Sequence, residues 1–135
     1  MGDVTIQWIG GQSFVGVDST QHTAVISSAR DGVGVKPSDM LLMALAACSA
    51  VDLVNILEKK RLKLTALDIA VSGQQDADPP WTFRKIHLAY NLRGTGLTDK
   101  AVEQAIGLSE EKYCSVSATI RGVAEVSHSY QITED

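Results

Sequence analysis

The sequence predicts an α+β fold, and three observations carry that prediction. Short alternating stretches separated by glycine-containing turns open the chain. A long apolar, alanine-rich segment follows. Two more alternating stretches, two helical segments with capping residues and a closing alternating stretch complete it. At 135 residues there is room for one core, and the chain is read as a single domain over 1–135.

Val4 to Ile9 alternates like a strand and Gly10-Gly11 marks a turn. Ser13 to Val17 and Thr23 to Ser27 read as two further strands, giving an N-terminal antiparallel meander. Arg30 to Lys36 is a glycine-containing loop. Pro37 suits the first turn of a helix, and Ser38 or Asp39 its acidic start. That helix runs to about Arg61. Apolar residues surround it almost completely from Met40 to Val51, so it is expected to be buried on several sides, as a central helix or one shared with a partner subunit.

Leu67 to Gly73 and Phe83 to Leu92 read as strands, the second placing Ile86, Leu88, Tyr90 and Leu92 on one face. Thr98 is a plausible cap for a helix whose buried stripe is Val102, Ala105 and Ile106. Gly107 interrupts it, Ser109 caps a new segment carrying Cys114, and Gly122 ends that segment. Val123 to Thr133 is the last strand. Trp8 and Trp81 read as packing residues.

Composition narrows the functions. A net charge of −4 leaves no basic stripe for nucleic acid. The run Met40 to Cys48 is too short to cross a bilayer, so no membrane role is expected. The opening residues, Met1 to Val4, lack a basic start followed by an apolar stretch, so a cytoplasmic chain without a signal peptide is expected. In that compartment two cysteines are more often reduced, catalytic or metal-binding than a permanent staple. His22, His87 and His128 show no ligand spacing with either cysteine, which argues against zinc.

Cys48 sits among Ala46, Ala47 and Ala50, the setting of a small buried hydrophobe, but also of a helix that another element can approach closely. Cys114 sits among Glu111, Lys112, Ser115 and Ser117 at a helix start, where the helix dipole lowers a thiol pKa. The residues alone leave two readings open, a reversible redox pair and two inert thiols. His128 shares a strand face with Val126, Tyr130 and Ile132 and reads as a packed or interface histidine, which leaves acyl transfer from Cys48 without an obvious base.

Pro37-Ser38-Asp39-Met40-Leu41 leading into Ala46-Ala47-Cys48-Ser49-Ala50-Val51-Asp52, with Glu111-Lys112-Tyr113-Cys114-Ser115-Val116-Ser117 later, resembles the OsmC/Ohr family of osmotically inducible and organic-hydroperoxide-resistance proteins, in its OsmC-like branch. The resemblance covers nearly the whole chain. It implies an intertwined homodimer with antiparallel sheets wrapped around long central helices. It also implies a thiol peroxidase without metal, haem or flavin, acting on small organic hydroperoxides and recycled by an external dithiol reductant. Cys48 would be the peroxidatic residue and Cys114 the resolving one. Characterised peroxidases of the family activate their thiolate with an arginine from the Gly-Gly turn and a glutamate after the helix-opening proline. This chain has Gln12 and Ser38 there, so Arg30 and Asp39 are the candidate substitutes; each also has a plain reading, as a solvated loop cation and as a helix-start acid. Met40, Met43 and Leu45 would shape an apolar pocket for an alkyl group. The alternative is a non-catalytic dimer that binds a small apolar ligand or responds to redox state.

Overall fold

A computed structural model describes residues 2–135; Met1, the start of the stretch read for a signal peptide, lies outside them. The chain divides into two compact units, one up to Leu41 and one from Leu42 onward.

The first unit is the expected meander. Strands β1 (Thr5–Trp8), β2 (Ser13–Val17) and β3 (Thr23–Ser27) form an antiparallel sheet in the order β1-β2-β3. Gly10 and Gly11 both have positive φ, 109° and 55°, which lets the backbone reverse within a few residues. At the next turn the Asp18 carboxylate accepts from the Thr20 and His22 N–H groups at 2.8 and 2.9 Å. These bonds, His22's first, hold its carboxyl below the usual value. Trp8 was expected to pack, yet it is 65% exposed and donates its indole N–H to the Gly11 carbonyl.

Helix α1 (Pro37–Lys59) begins in this unit and continues into the next. Its last turn closes through Arg61, whose φ of 59° lets Leu62 N–H bond back to the Leu57 carbonyl. The expectation of burial on several sides needs correction within the single chain. Leu45, Ser49, Leu53 and Leu57 form one buried stripe at four-residue spacing, while Leu41, Met43, Val51 and Val54 are exposed. By length and composition the whole helix would also qualify for a bilayer span, unlike the short run read from the sequence. Its buried stripe instead joins the core.

That core lies in the second unit. Strands β4 (Lys63–Gln75), β5 (Phe83–Thr95) and β6 (Glu125–Glu134) form a sheet in the order β4-β5-β6, with β5 central. Alternation along β5 buries Ile86, Leu88, Tyr90 and Leu92, as expected. They cluster with the leucines of α1 and with Val102, Ala105 and Ile106 of helix α2 (Asp99–Leu108). Full burial of each leucine contributes about 2 kcal/mol. Thr98 caps α2 as predicted, accepting the Ala101 N–H at 3.1 Å.

Three expectations change here. The second sheet is not wholly antiparallel: β4 pairs antiparallel with β5, but β6 runs parallel to it, with Ile86 opposite Val126 and Tyr90 opposite Tyr130. The helices between β5 and β6 supply the long crossover that a parallel pair requires. Gly107 does not interrupt α2, because the helix continues through it to Leu108 and passes into a π-helical turn, Ser109–Tyr113. The final helix α3 (Ser115–Ile120) then ends with Arg121 as its C-cap and Gly122 immediately after it. Trp81, after Pro79-Pro80, is 54% exposed and does not pack.

Candidate functional site

Cys48 lies on α1, half-buried, one residue before the buried Ser49 and one turn before Asp52. Cys114 reaches it from the other end of the unit's sequence because of the π-helical turn. In that turn the Cys114 N–H donates to the Ser109 carbonyl at 2.8 Å, which ends α2 and turns the chain. Cys114 itself is extended, with φ −88° and ψ 102°, and serves as N-cap of α3. Its Sγ accepts the Ser117 N–H at 3.3 Å, where a serine or aspartate oxygen commonly stands. The turn is tied to α1 by Ser109 Oγ, which donates to Asp52 Oδ2 at 2.8 Å.

The two thiols, both free, are near enough that Cys48 acts on the ionisation of Cys114. Cys114 is only 3% exposed. Burial first, then the neighbouring Cys48 thiol, pushes its pKa up to about 11, outweighing the Ser117 N–H that favours the thiolate. The sequence argument that a helix start lowers this pKa thus fails on burial. Cys114 is a protonated thiol at neutral pH.

Polar side chains line the surroundings. Tyr90 is buried, its hydroxyl 2.5 Å from Ser49 Oγ. Burial pushes its pKa up to about 12, with Glu110 and Cys114 adding to the effect. On the α3 side, Arg121 Nε donates to Ser117 Oγ at 3.0 Å and Nη2 pairs with Glu110 Oε2 at 3.2 Å. His128 stands with Nδ1 3.1 Å from Glu110 Oε1 and its ring edge-on to Tyr90. This buried carboxylate oxygen has no hydrogen-bond partner among the described residues. The sequence reads His128 as a packed or interface histidine; within the single chain the residue is exposed, with its ring against Tyr90.

A cleft of about 520 Å³ opens one turn beyond Cys48, lined by Asp52, Asn55, Ile56, Lys59, Leu108 and Tyr113. Tyr113 directly precedes Cys114, and the Lys112 ammonium lies 5.5 Å from its ring centre.

The other sequence candidates are placed as follows. Asp39 is exposed and pairs with Lys36 at 3.9 Å, a local helix-start contact. Arg30 is exposed in its loop, where its N–H donates to Ser28 Oγ at 3.2 Å. Gln12 accepts from Ser28 Oγ through its side chain, and its N–H donates to Asp31 at 3.0 Å. Of the apolar residues expected to shape one pocket, Leu45 belongs to the core. Met43 is exposed, and Met40 lines a groove in the first unit with Ile6, Phe14, Ile26 and Pro37.

Sequence reasoning missed Ser49, Tyr90 and the Glu110–Arg121 pair. A serine in an otherwise leucine stripe was a usable signal, since a buried hydroxyl needs a partner. No periodic pattern links Glu110 to Arg121.

Comparison with known proteins agrees with this architecture. A profile described as OsmC-like protein matches residues 30–129. Protein YhfA of Escherichia coli is 32% identical over 127 residues, covering 94% of this chain and 95% of that protein. The crystal structure of a hypothetical protein from Aquifex aeolicus superposes with a TM-score of 0.89 at 27% identity, covering 100% of this chain and 98% of that one. The organic hydroperoxide resistance protein OhrB of Bacillus subtilis shares the fold, with a TM-score of 0.63 at 17% identity, covering 97% and 98% of the two chains. With a profile match over most of its length and a relative above 30% identity along nearly all of it, the chain belongs to the OsmC-like protein family.

Proposed function

We propose that the protein is a thiol peroxidase that reduces organic hydroperoxides, with Cys48 as the peroxidatic and Cys114 as the resolving residue. The observation that carries this reading is the apposition of two free thiols, one half-buried and one buried, from distant parts of the chain. Cys48, as thiolate, attacks the distal oxygen of ROOH. The O–O bond breaks, the alkoxide leaves as ROH after taking up a proton, and Cys48 becomes a sulfenic acid. The Cys114 sulfur then displaces the sulfenic hydroxyl, which leaves with the Cys114 proton as water, and a disulfide forms. An external dithiol returns two electrons and restores both thiols. The cleft beside Asp52 and Tyr113, with Ile56 and Leu108 on its wall, offers apolar surface for the organic group. The exposed apolar residues of α1 and of the first sheet suit a homodimer.

Cumene hydroperoxide tests the reading. One equivalent should remove two thiols from the wild type within minutes, and Cys114→Ser should trap a sulfenic acid on Cys48, seen as a 16 Da gain by intact mass (about one oxygen atom). Thiols that persist for hours under excess peroxide would sink it. A second reading, a non-catalytic ligand-binding or redox-responsive dimer, is favoured by Gln12. It is neutral and already engaged by Ser28, so the Gly-Gly turn offers no cation. Slow disulfide formation without turnover would select that reading.

A further inference from the structure

Cys114 is bracketed by an ion pair. Glu110 lies in the π-helical turn four residues before it, and Arg121 at the end of α3 seven residues after. The pair joins at 3.2 Å, so the two ends of the segment carrying the thiol are clamped together. Arg121 also reaches inward, where Nε donates to Ser117 Oγ at 3.0 Å, and the N–H of that same serine donates to Cys114 Sγ at 3.3 Å. The Glu110 side chain is only 12% exposed, and its second oxygen faces His128 Nδ1 at 3.1 Å. A carboxylate this enclosed relies on the Arg121 guanidinium to compensate it, and removing that partner leaves an uncompensated charge.

We infer that Glu110 and Arg121 are positioning residues for Cys114, fixing the sulfur where it can close onto Cys48. The inference rests on the reading of Cys114 as the thiol that completes the disulfide. Two features give the clamp something to do. Cys114 must move from its cap bond with Ser117 to sulfur–sulfur bonding distance from Cys48, and that closure tolerates little displacement of the backbone. Ser109 anchors the π-helical turn, its carbonyl accepting the Cys114 N–H and its hydroxyl donating to Asp52, and the Glu110–Arg121 pair ties the side chains of the turn to the end of α3 across the cysteine. Misplacement by about 1 Å costs up to a hundredfold in such a step.

Ellman's reagent separates this inference from peroxide chemistry. In the first phase the Cys48 thiolate attacks the reagent's disulfide, forming a mixed disulfide and releasing one thionitrobenzoate. In the second phase the Cys114 thiol gives up its proton to solvent and its sulfur attacks the Cys48 sulfur, forming the Cys48–Cys114 disulfide and releasing a second thionitrobenzoate. Glu110→Gln and Arg121→Gln should slow the second phase about tenfold or more and leave the first within about twofold. Arg121→Lys should recover part of the loss, since it keeps the charge but not the paired contacts to Glu110 and Ser117. Glu111→Gln, which removes the same charge from the exposed neighbour, should match the wild type in both phases. Circular dichroism on heating identifies any variant that unfolds, and Arg121→Lys then carries the comparison. An unchanged second phase in folded Glu110→Gln and Arg121→Gln overturns the inference. So do two phases falling in proportion, or a wild type that never releases the second thionitrobenzoate. Normal closure and clamp dependence without any thiol loss to cumene hydroperoxide would remove the peroxidase reading and leave the inference standing.

Discussion

Ser49 and Tyr90 carry the clearest energetic consequence of any residues in the core. The phenol is 1% exposed and its hydroxyl stands 2.5 Å from Ser49 Oγ. Ser49→Ala should cost about 1–3 kcal/mol, because the phenolic oxygen would be left buried without its partner. Tyr90→Phe in the same chain should return part of that loss, and urea unfolding of the four members of the cycle measures the coupling. Additive costs would show that the contact contributes nothing. Cys114 and Tyr90 also make stability depend on alkaline pH. Their folded pKa values, about 11 and about 12, stand above the ordinary 9.0 and 10.0, burial being the first cause in each. From about pH 9 upward the unfolded chain therefore releases protons that the folded chain still holds. Stability present below pH 9 is lost as pH rises through the folded values, by an amount of order 2 kcal/mol for each group. The urea midpoint should fall between pH 8 and pH 10.5, and the fall should be shallower in Cys114→Ala. A midpoint that rises over this interval would contradict the assignment of both groups.

Helix α2 shows where local rules hold and where they stop. Gly107 sits inside it, and a Cβ built there meets nothing within 4 Å. Gly107→Ala should thus stabilise the fold by about 0.5–1 kcal/mol, read as a higher melting temperature, because alanine restricts the unfolded chain without a clash. A fall in melting temperature would mean that the helix needs the glycine after all. From the sequence that glycine looked like a break, since composition does not reveal a helix that runs on into a π-helical turn. The Thr98 cap, the three strands of the first sheet and the buried alternation of β5 were legible, because each depends on residues close in sequence. The parallel β6 was not, since the same alternation serves either direction and only the crossover decides. The site divides in the same way. Cys48 and Cys114 stood out as residue types, and their resemblance to a family paired them. Glu110 and Arg121 are eleven residues apart across a change of helix type, and nothing short of the fold brings them together. The burial of Cys114 was equally hidden, because its neighbours in sequence are polar while its neighbours in space include Cys48 and Tyr90.

At the scale of the whole molecule, the exposed apolar surface of α1 is the basis for the proposed homodimer. Its buried stripe faces the core, yet Met43 at 54%, Val51 at 61% and Val54 at 42% remain exposed, with Ala44 and Ala47 exposed among them. Positions 43, 47, 51 and 54 follow helical spacing, so they form a second stripe on the same helix. Alanines within such a stripe let another helix approach closely, and a 23-residue helix is long enough for a sustained contact. In the first unit Val4, Ile6, Trp8 and Ile9 are each more than half exposed. Apolar surface on this scale is unfavourable on a monomer, and a second copy of the chain supplies a matching stripe by symmetry. Sedimentation velocity should accordingly give a species of twice 14.4 kDa, that is 28.8 kDa, at micromolar concentration. Val51→Asp, which places a charge at the centre of the α1 stripe without entering the core, should shift it toward 14.4 kDa. A wild type that sediments as a 14.4 kDa species across the micromolar range would show that the α1 stripe has another occupant.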